Sequence, residues 1–141
     1  MLALMNKLLH LSFLPTSVDF GLLLLRLLTG VTMIWVHGWG KLTGFQSMVA
    51  KFPNPIPGTP NELALGLAVF AEVVCAGLIV LGLFTRLAAF ILIINMSVAF
   101  FVIHKANLVP GPGSGELALL YLGGFLVLFF TGAGRYSVDR R

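Results

Sequence analysis

Two titratable residues stand deep inside apolar stretches of this 141-residue chain. Arg26 interrupts one stretch, and Glu72, the only acid placed so deeply, interrupts the next. A charge in apolar surroundings is costly unless an opposite charge compensates it. The sequence therefore predicts an ion pair between Arg26 and Glu72 that joins two helices. Such a pair either holds the helices together or leaves Glu72 to carry a proton or contact a ligand.

A second group of polar residues marks the ends of the apolar stretches. His37 and Lys41 end the first stretch, His104 ends the third, and Glu116 opens the fourth. In four antiparallel helices these ends meet at one level, where such groups can shuttle protons, bind a metal or hold the polar head of a quinone-like ligand. No HxxxH or HxxE spacing occurs, so no metal site is predicted. The predicted ligand-binding residues are His37, Lys41, Glu72, His104 and Glu116, and the candidates for a catalytic role are Glu72, His37 and His104.

The composition of the whole chain indicates that it lies in an apolar environment. Hydrophobic residues make up 58% of the chain and charged residues 10%, with a mean hydropathy of +1.01. A soluble domain contains about a quarter charged residues, so the excess apolar surface is expected to face lipid. The net charge of +4 comes from scattered basic residues, which gives no indication of nucleic-acid binding.

Four stretches approach the roughly 20 apolar residues that a bilayer-spanning helix needs. The sequence thus predicts an all-α fold, a single transmembrane domain (residues 1–141) that forms an integral-membrane antiparallel four-helix bundle. Residues 8–14 are predicted to form a short interfacial segment rather than a cleaved signal. The predicted spans are 18–40, 63–84, 87–104 and 117–133, with an outer loop at 42–61.

The distribution of basic residues predicts that both termini are cytoplasmic. Four spans place the two termini and the turn near Arg86 on one side, which carries five basic residues outside the spans against three on the other. The side with more basic residues is normally cytoplasmic. The five are Lys7, Arg86, Arg135, Arg140 and Arg141, and the three are Lys41, Lys51 and Lys105.

Helical rotation of about 100° per residue places five residues of the first span within one narrow stripe. This stripe comprises Arg26, Gly30, Met33, His37 and Lys41. Four other glycines, at positions 66, 77, 123 and 124, are predicted to let helices approach closely.

Three segments stand out between about residues 20 and 139: "LRLLTGVTMIWVHGWGKL", "AEVVCAGLIVLGLFTRLAA" and "ELALLYLGGFLVLFFTGAGRYSVD". In sequence and in order they resemble the DoxX family of small four-span bacterial membrane proteins. The tail reads Gly-Ala-Gly-Arg where the family often has Gly-Pro-Gly-Arg. The positions that match family motifs are Arg26, His37, Gly38, Lys41, Glu72, 82–86, Glu116, and a cytoplasmic tail motif that includes Arg135, Ser137 and Asp139.

The resemblance implies a multi-pass protein of the bacterial inner membrane and a role in redox complexes. The family name comes from a thiosulfate:quinone oxidoreductase subunit, so quinone is the cofactor that the resemblance suggests. The bundle is also similar to that of vitamin K epoxide reductases, but their paired cysteines are missing, since Cys75 is the only cysteine. Electron transfer would then need a redox partner protein or a bound cofactor.

Three functions remain open at this stage. The first is a quinone-linked oxidoreductase component with a polar ligand site between the helices. The second is a small proton-coupled transporter, expected to act as a homo-oligomer, in which Glu72 is the coupling carboxylate. The third is a non-catalytic membrane scaffold in which the buried ion pair is structural.

Overall fold

The computed structural model describes residues 1–12 and 15–140, so Arg141 and part of the predicted interfacial segment lie outside the described residues. Throughout the described residues the regular structure is helical. The helices are α1 Leu2–Leu9, α2 Val18–Thr43, α3 Phe45–Val49, α4 Asn61–Leu81, α5 Thr85–Ile103 and α6 Glu116–Thr131.

The predicted all-α membrane helical bundle is confirmed. Helices α2, α4 and α5 are each long and apolar enough to cross a membrane, and the apolar α6 is shorter at 16 residues. Their bounds differ from the predicted spans by three residues or fewer. The predicted outer loop is not wholly irregular, because the short helix α3 lies within it.

The four long helices pack so that α4 lies between α2 and α5, and α6 closes the bundle against α5 and α2. We call the end that carries the connections 44–60 and 104–115 the loop end. The opposite end, with the turn 82–84 and residues 132–140, is called the tail end. At the tail end the backbone N–H of Arg135 donates to Asp19 Oδ1 at 2.9 Å, which joins the start of α2 to the segment after α6.

The core of the bundle is narrow, and the surface is apolar. Leu65, Ile79 and Phe125 are completely buried, whereas Leu28 and Phe130 expose most of their surface. In lipid, helices gain little by hiding apolar side chains from their surroundings, so close packing and polar contacts must hold them together.

Close packing between α2 and α4 depends on Gly30 and Gly38. A Cβ on Gly30 would lie 2.9 Å from the carbonyl oxygen of Ala76, and one on Gly38 would lie 3.0 Å from that of Glu72. Of the four glycines predicted to allow close approach, only Gly124 lies against a neighbouring helix, since a Cβ there would be 3.1 Å from Thr29 Cγ2. A Cβ at position 66, 77 or 123 would meet nothing within 4 Å, so that prediction is wrong for those three glycines.

We expect Gly30→Ala to lower the free energy of unfolding by about 1–3 kcal/mol, because the new methyl group would push α2 away from the α4 backbone. Gly77→Ala is the matched control on α4. It adds the same methyl group where nothing lies within 4 Å, and it should be neutral or stabilising by up to about 1 kcal/mol, since alanine favours helix. The stabilities of the two variants would be compared by their unfolding midpoints in detergent. Equal stability would contradict the role of Gly30 in the interface between α2 and α4.

Candidate ligand-binding site

A cavity of about 920 Å³ lies between the four long helices in the half of the bundle nearer the loop end. Its volume falls in the range of small-molecule sites, about 300–1,000 Å³. Most of its lining is apolar, and the loop after α3 contributes part of the wall. The polar or charged side chains in the lining are His37, Lys41, Lys51, Glu72, Asn95, His104, Ser114 and Tyr121.

The ion pair at this cavity is formed by Lys41 and Glu72. Lys41 Nζ lies 2.6 Å from both Oε1 and Oε2 of Glu72, so the ammonium group bridges the carboxylate. The Glu72 side chain is 5% exposed and that of Lys41 is 25% exposed. Asn95 Nδ2 donates a further hydrogen bond to Glu72 Oε1 at 3.3 Å. Helices α2, α4 and α5 thus all contribute to one charged cluster.

The predicted pair between Arg26 and Glu72 is therefore wrong. Side chains on a helix tilt toward its N-terminus. Because α2 runs from the tail end to the loop end, Arg26 and Lys41 both point toward the tail end, which directs Lys41 into the bundle. Helix α4 runs in the opposite direction, so Glu72 points toward the loop end and toward Lys41. The Arg26 guanidinium instead donates from Nη2 to the backbone carbonyl of Tyr136.

His37 presents an unused polar atom beside this cluster. Its Nε2 is buried and has no hydrogen-bond partner among the described residues. The imidazole ring packs edge-on against Tyr121, with 5.5 Å between ring centroids, and Tyr121 Oη donates to Thr32 Oγ1 at 2.7 Å. The ring is thus held by an aromatic neighbour that is itself fixed. Since a buried polar group without a partner is destabilising, His37 Nε2 is the atom of the cavity most in need of a ligand.

Widened helical turns position both His37 and Glu72. Helices α2, α4 and α5 each contain one π-helical segment: Met33–Gly38 in α2, Phe70–Cys75 in α4 and Val98–Ile103 in α5. His37 lies in the first segment and Glu72 in the second, and these two segments contact each other. Such turns often occur at functional sites, where they redirect a side chain.

The other predicted ligand-binding residues are divided between the cavity and the surface. His104 lines the cavity, and its Nδ1 is 3.0 Å from the carbonyl oxygen of Gly113. Glu116 is exposed in the first turn of α6 and does not line the cavity, although its neighbour Leu117 does. The structure therefore brings together four of the five predicted residues.

Four polar or charged lining residues were missing from the predicted set: Lys51, Asn95, Ser114 and Tyr121. Asn95 is the only amide side chain within the apolar part of α5, and Tyr121 is the only tyrosine within the four long helices. Both are polar residues within apolar helices, and this signal could have identified them.

The tail motif forms a separate cluster at the other end of the bundle. Asp139 accepts hydrogen bonds from the backbone N–H groups of Phe84 and Thr85, both at 3.0 Å, at the start of α5. Asp139 also interacts electrostatically with Arg26, which is completely buried. Helix α6 ends at Thr131, so Arg135 and Asp139 do not lie on one continuous helix. We call Arg26, Gly82, Tyr136, Ser137 and Asp139 the tail clasp.

Gly82 and Ser137 complete the tail clasp. Gly82 has φ of +67°, and a Cβ there would overlap both Arg26 Nη1 and the Ser137 Cβ. Its carbonyl accepts from the backbone N–H of Asp139 at 2.8 Å. Ser137 Oγ accepts from the backbone N–H of Arg140 at 3.0 Å and donates to the Gly134 carbonyl. The motif therefore ties the chain end to the α4–α5 turn, far from the cavity.

The helices and the cavity define a membrane protein with a polar site inside a helical bundle. Residues 21–105 match the family model described as DoxX, and the chain belongs to this family. No solved structure matches the chain.

Several curated bacterial proteins are similar to the chain. An uncharacterized protein of Haemophilus influenzae is 42% identical over 77% of this chain and 81% of its own length. The Escherichia coli inner membrane protein YphA is 34% identical over 87% of this chain and 95% of its own length. The E. coli inner membrane protein YqjF is also 34% identical, over 86% and 92% respectively.

Proposed function

We propose that this protein is the quinone-binding membrane component of an oxidoreductase complex. The observation that carries the proposal is the buried, unpartnered Nε2 of His37 at a cavity that is otherwise mostly apolar. A quinone has the complementary chemistry, because its ring carbonyls accept hydrogen bonds and its tail is apolar. Few polar groups at defined positions in an apolar pocket are typical of such ligand sites.

The charged cluster supports a role in proton transfer to this ligand. Reduction of a quinone to a quinol takes two electrons and two protons. The two electrons would come from the redox centre of a partner protein, since a single cysteine cannot form a disulfide within the chain. His37 and Lys41 would donate hydrogen bonds to the carbonyl oxygens, and Glu72 would exchange protons with Lys41.

The cellular setting is part of the same proposal. We place the protein in the bacterial inner membrane, which is supported by the names of the inner membrane proteins YphA and YqjF. Both termini would be cytoplasmic, and the cavity would then lie in the outer half of the bilayer. The excess of basic residues at the tail end supports this orientation. A redox partner, and a second copy of the chain, are proposed as assembly partners.

The quinone site is tested by the affinity of decylubiquinone for the purified protein in lipid nanodiscs. We expect His37→Phe to raise Kd about tenfold, because loss of one hydrogen bond from a buried donor costs about 1.4 kcal/mol. Phenylalanine keeps the ring that packs on Tyr121, so the cavity should retain its shape. His10→Phe is the matched control, since His10 is exposed and lies outside the cavity lining.

A proton-coupled carrier is the competing function that the buried Lys41–Glu72 pair favours. Two results together would favour the carrier function over the quinone-binding function. His37→Phe would leave the quinone affinity unchanged, and Glu72→Gln would abolish a proton-dependent solute flux. If neither binding nor flux is found, the remaining function is that of a membrane scaffold.

A further inference from the structure

Helices α4 and α5 separate as they approach the loop end. The segments Phe70–Cys75 and Ala76–Leu81 of α4 both pack against the Thr85–Ser97 part of α5. Among the described residues, the segment Asn61–Val69 makes no comparable contact with either part of α5. The hairpin of α4 and α5 is therefore closed near its turn and open toward the loop end.

The cavity reaches the apolar surface of the bundle along this opening. Leu67 and Phe70 on α4 line the cavity, yet they are 51% and 46% exposed. Ile94 on α5 also lines the cavity and is 51% exposed. A side chain that both lines a cavity and faces the surroundings stands at the rim of an opening. This rim consists of apolar side chains from the two separating helices.

The opening lies at the depth of the bilayer interior. Glu72 is eleven residues from the start of α4, about 16 Å along the helix at 1.5 Å per residue. Asn95, next to the rim residue Ile94, donates to Glu72. Hence a molecule that passes between Phe70 and Ile94 arrives directly at the polar cluster, and it comes from the hydrocarbon region.

A braced loop borders the loop end of the cavity, and its lining residue Ile56 is 40% exposed, so the competing entrance lies at this end. Phe52, Pro53 and Ile56 from this loop line the cavity. Asn54 Nδ2 donates to the Thr59 carbonyl at 2.7 Å, and Asn61 Nδ2 donates to the Val49 carbonyl at 2.9 Å. The first bond braces the loop internally, and the second joins the start of α4 to the end of α3.

We propose that the ligand enters sideways from the lipid, through the gap between α4 and α5 whose rim is formed by Leu67, Phe70 and Ile94. The substrate class is accordingly an amphiphile dissolved in the bilayer, with a polar head that meets Lys41 and Glu72, and not a solute from the aqueous phase. The inference rests on the proposed function for the nature of the head group. The route itself is tested without a quinone, so the two can fail separately.

The test measures how fast a cysteine inside the cavity is alkylated in lipid nanodiscs. Ala68 is buried and lines the cavity, so Ala68→Cys in a Cys75→Ala background reports on access. N-dodecylmaleimide, which dissolves in lipid, should react faster than a charged, water-soluble maleimide. Ile94→Trp should slow the lipid-soluble reagent about tenfold, equivalent to about 1.4 kcal/mol in the barrier, because the larger ring narrows the gap.

Leu87→Trp is the matched control for Ile94→Trp. Leu87 lies seven residues before Ile94 on the same face of α5, is 61% exposed and does not line the cavity. Adding Leu87→Trp to the Ala68→Cys, Cys75→Ala protein should therefore leave its alkylation rate unchanged. Phe70→Trp narrows the gap from α4 and should act like Ile94→Trp, which protects the test against one variant that misfolds. The lateral route is overturned if the charged reagent reacts as fast as the lipid-soluble one, or if both rim variants react at the background rate.

Discussion

Replacing Lys41 with methionine is expected to lower the free energy of unfolding by about 3 kcal/mol. The change leaves the Glu72 carboxylate, 5% exposed, without its ion-pair partner. Removal of one partner from a buried pair costs about 3–5 kcal/mol, because the remaining charge is neither solvated nor compensated. The lower end of this range applies to Lys41→Met, since Lys41 is 25% exposed and water reaches part of the ion pair. Unfolding in mixed detergent micelles would measure the loss.

The double variant Lys41→Met with Glu72→Gln decides whether the stranded charge is the cause. A neutral amide in place of the carboxylate should restore more than half of the lost stability, because no buried charge remains. Lys105→Met is the control for loss of a positive charge at the loop end, since Lys105 is exposed, and it should change stability by less than about 0.5 kcal/mol. If the single and double variants were equally unstable, the loss of stability in Lys41→Met would not come from the unpaired Glu72 carboxylate.

Asp139→Ala is expected to destabilise the protein by a similar amount, about 3 kcal/mol. The substitution removes the acceptor of two backbone N–H groups at the start of α5, where loss of a capping side chain alone costs about 0.5–2 kcal/mol. It also removes the carboxylate that interacts with the completely buried Arg26, which adds the cost of an uncompensated charge. The measurement is again unfolding in mixed micelles.

Val138→Ala is the matched control for Asp139→Ala, because Val138 is the neighbouring residue and is 59% exposed. A second substitution, Arg26→Met, added to Asp139→Ala should recover part of the stability, since it removes the charge that the first substitution strands. If Asp139→Ala were as stable as Val138→Ala, the tail clasp would contribute nothing to the fold.

The stripe on the first span shows what helical periodicity predicts and what it does not. Rotation of 100° per residue predicts that Arg26, Met33 and His37 share one face, and in the structure Arg26 and Met33 are completely buried while His37 lines the cavity. Periodicity gives the face but not the direction along the axis. The pairing of Glu72 depends on that direction, which is why Arg26 was the wrong partner.

The glycines illustrate a second kind of information that is absent from the sequence. All small residues in an apolar helix look equally suited to close packing, yet Gly30 meets the α4 backbone and Gly66 meets nothing. Which face of a helix turns toward a neighbour depends on the arrangement of the whole bundle. No local pattern distinguishes the two positions.

The sequence by itself determined the helical class, the approximate bounds of the long helices and the candidate residues His37, Lys41, Glu72 and His104. These properties follow from runs of apolar residues and from the polar exceptions within them, which are local features of the chain. Only the tertiary structure decided that Lys41 pairs with Glu72, and that Asp139 binds backbone groups 54 and 55 positions away in the chain. Such contacts depend on helix direction and packing, because they join residues that are distant in sequence but close in space.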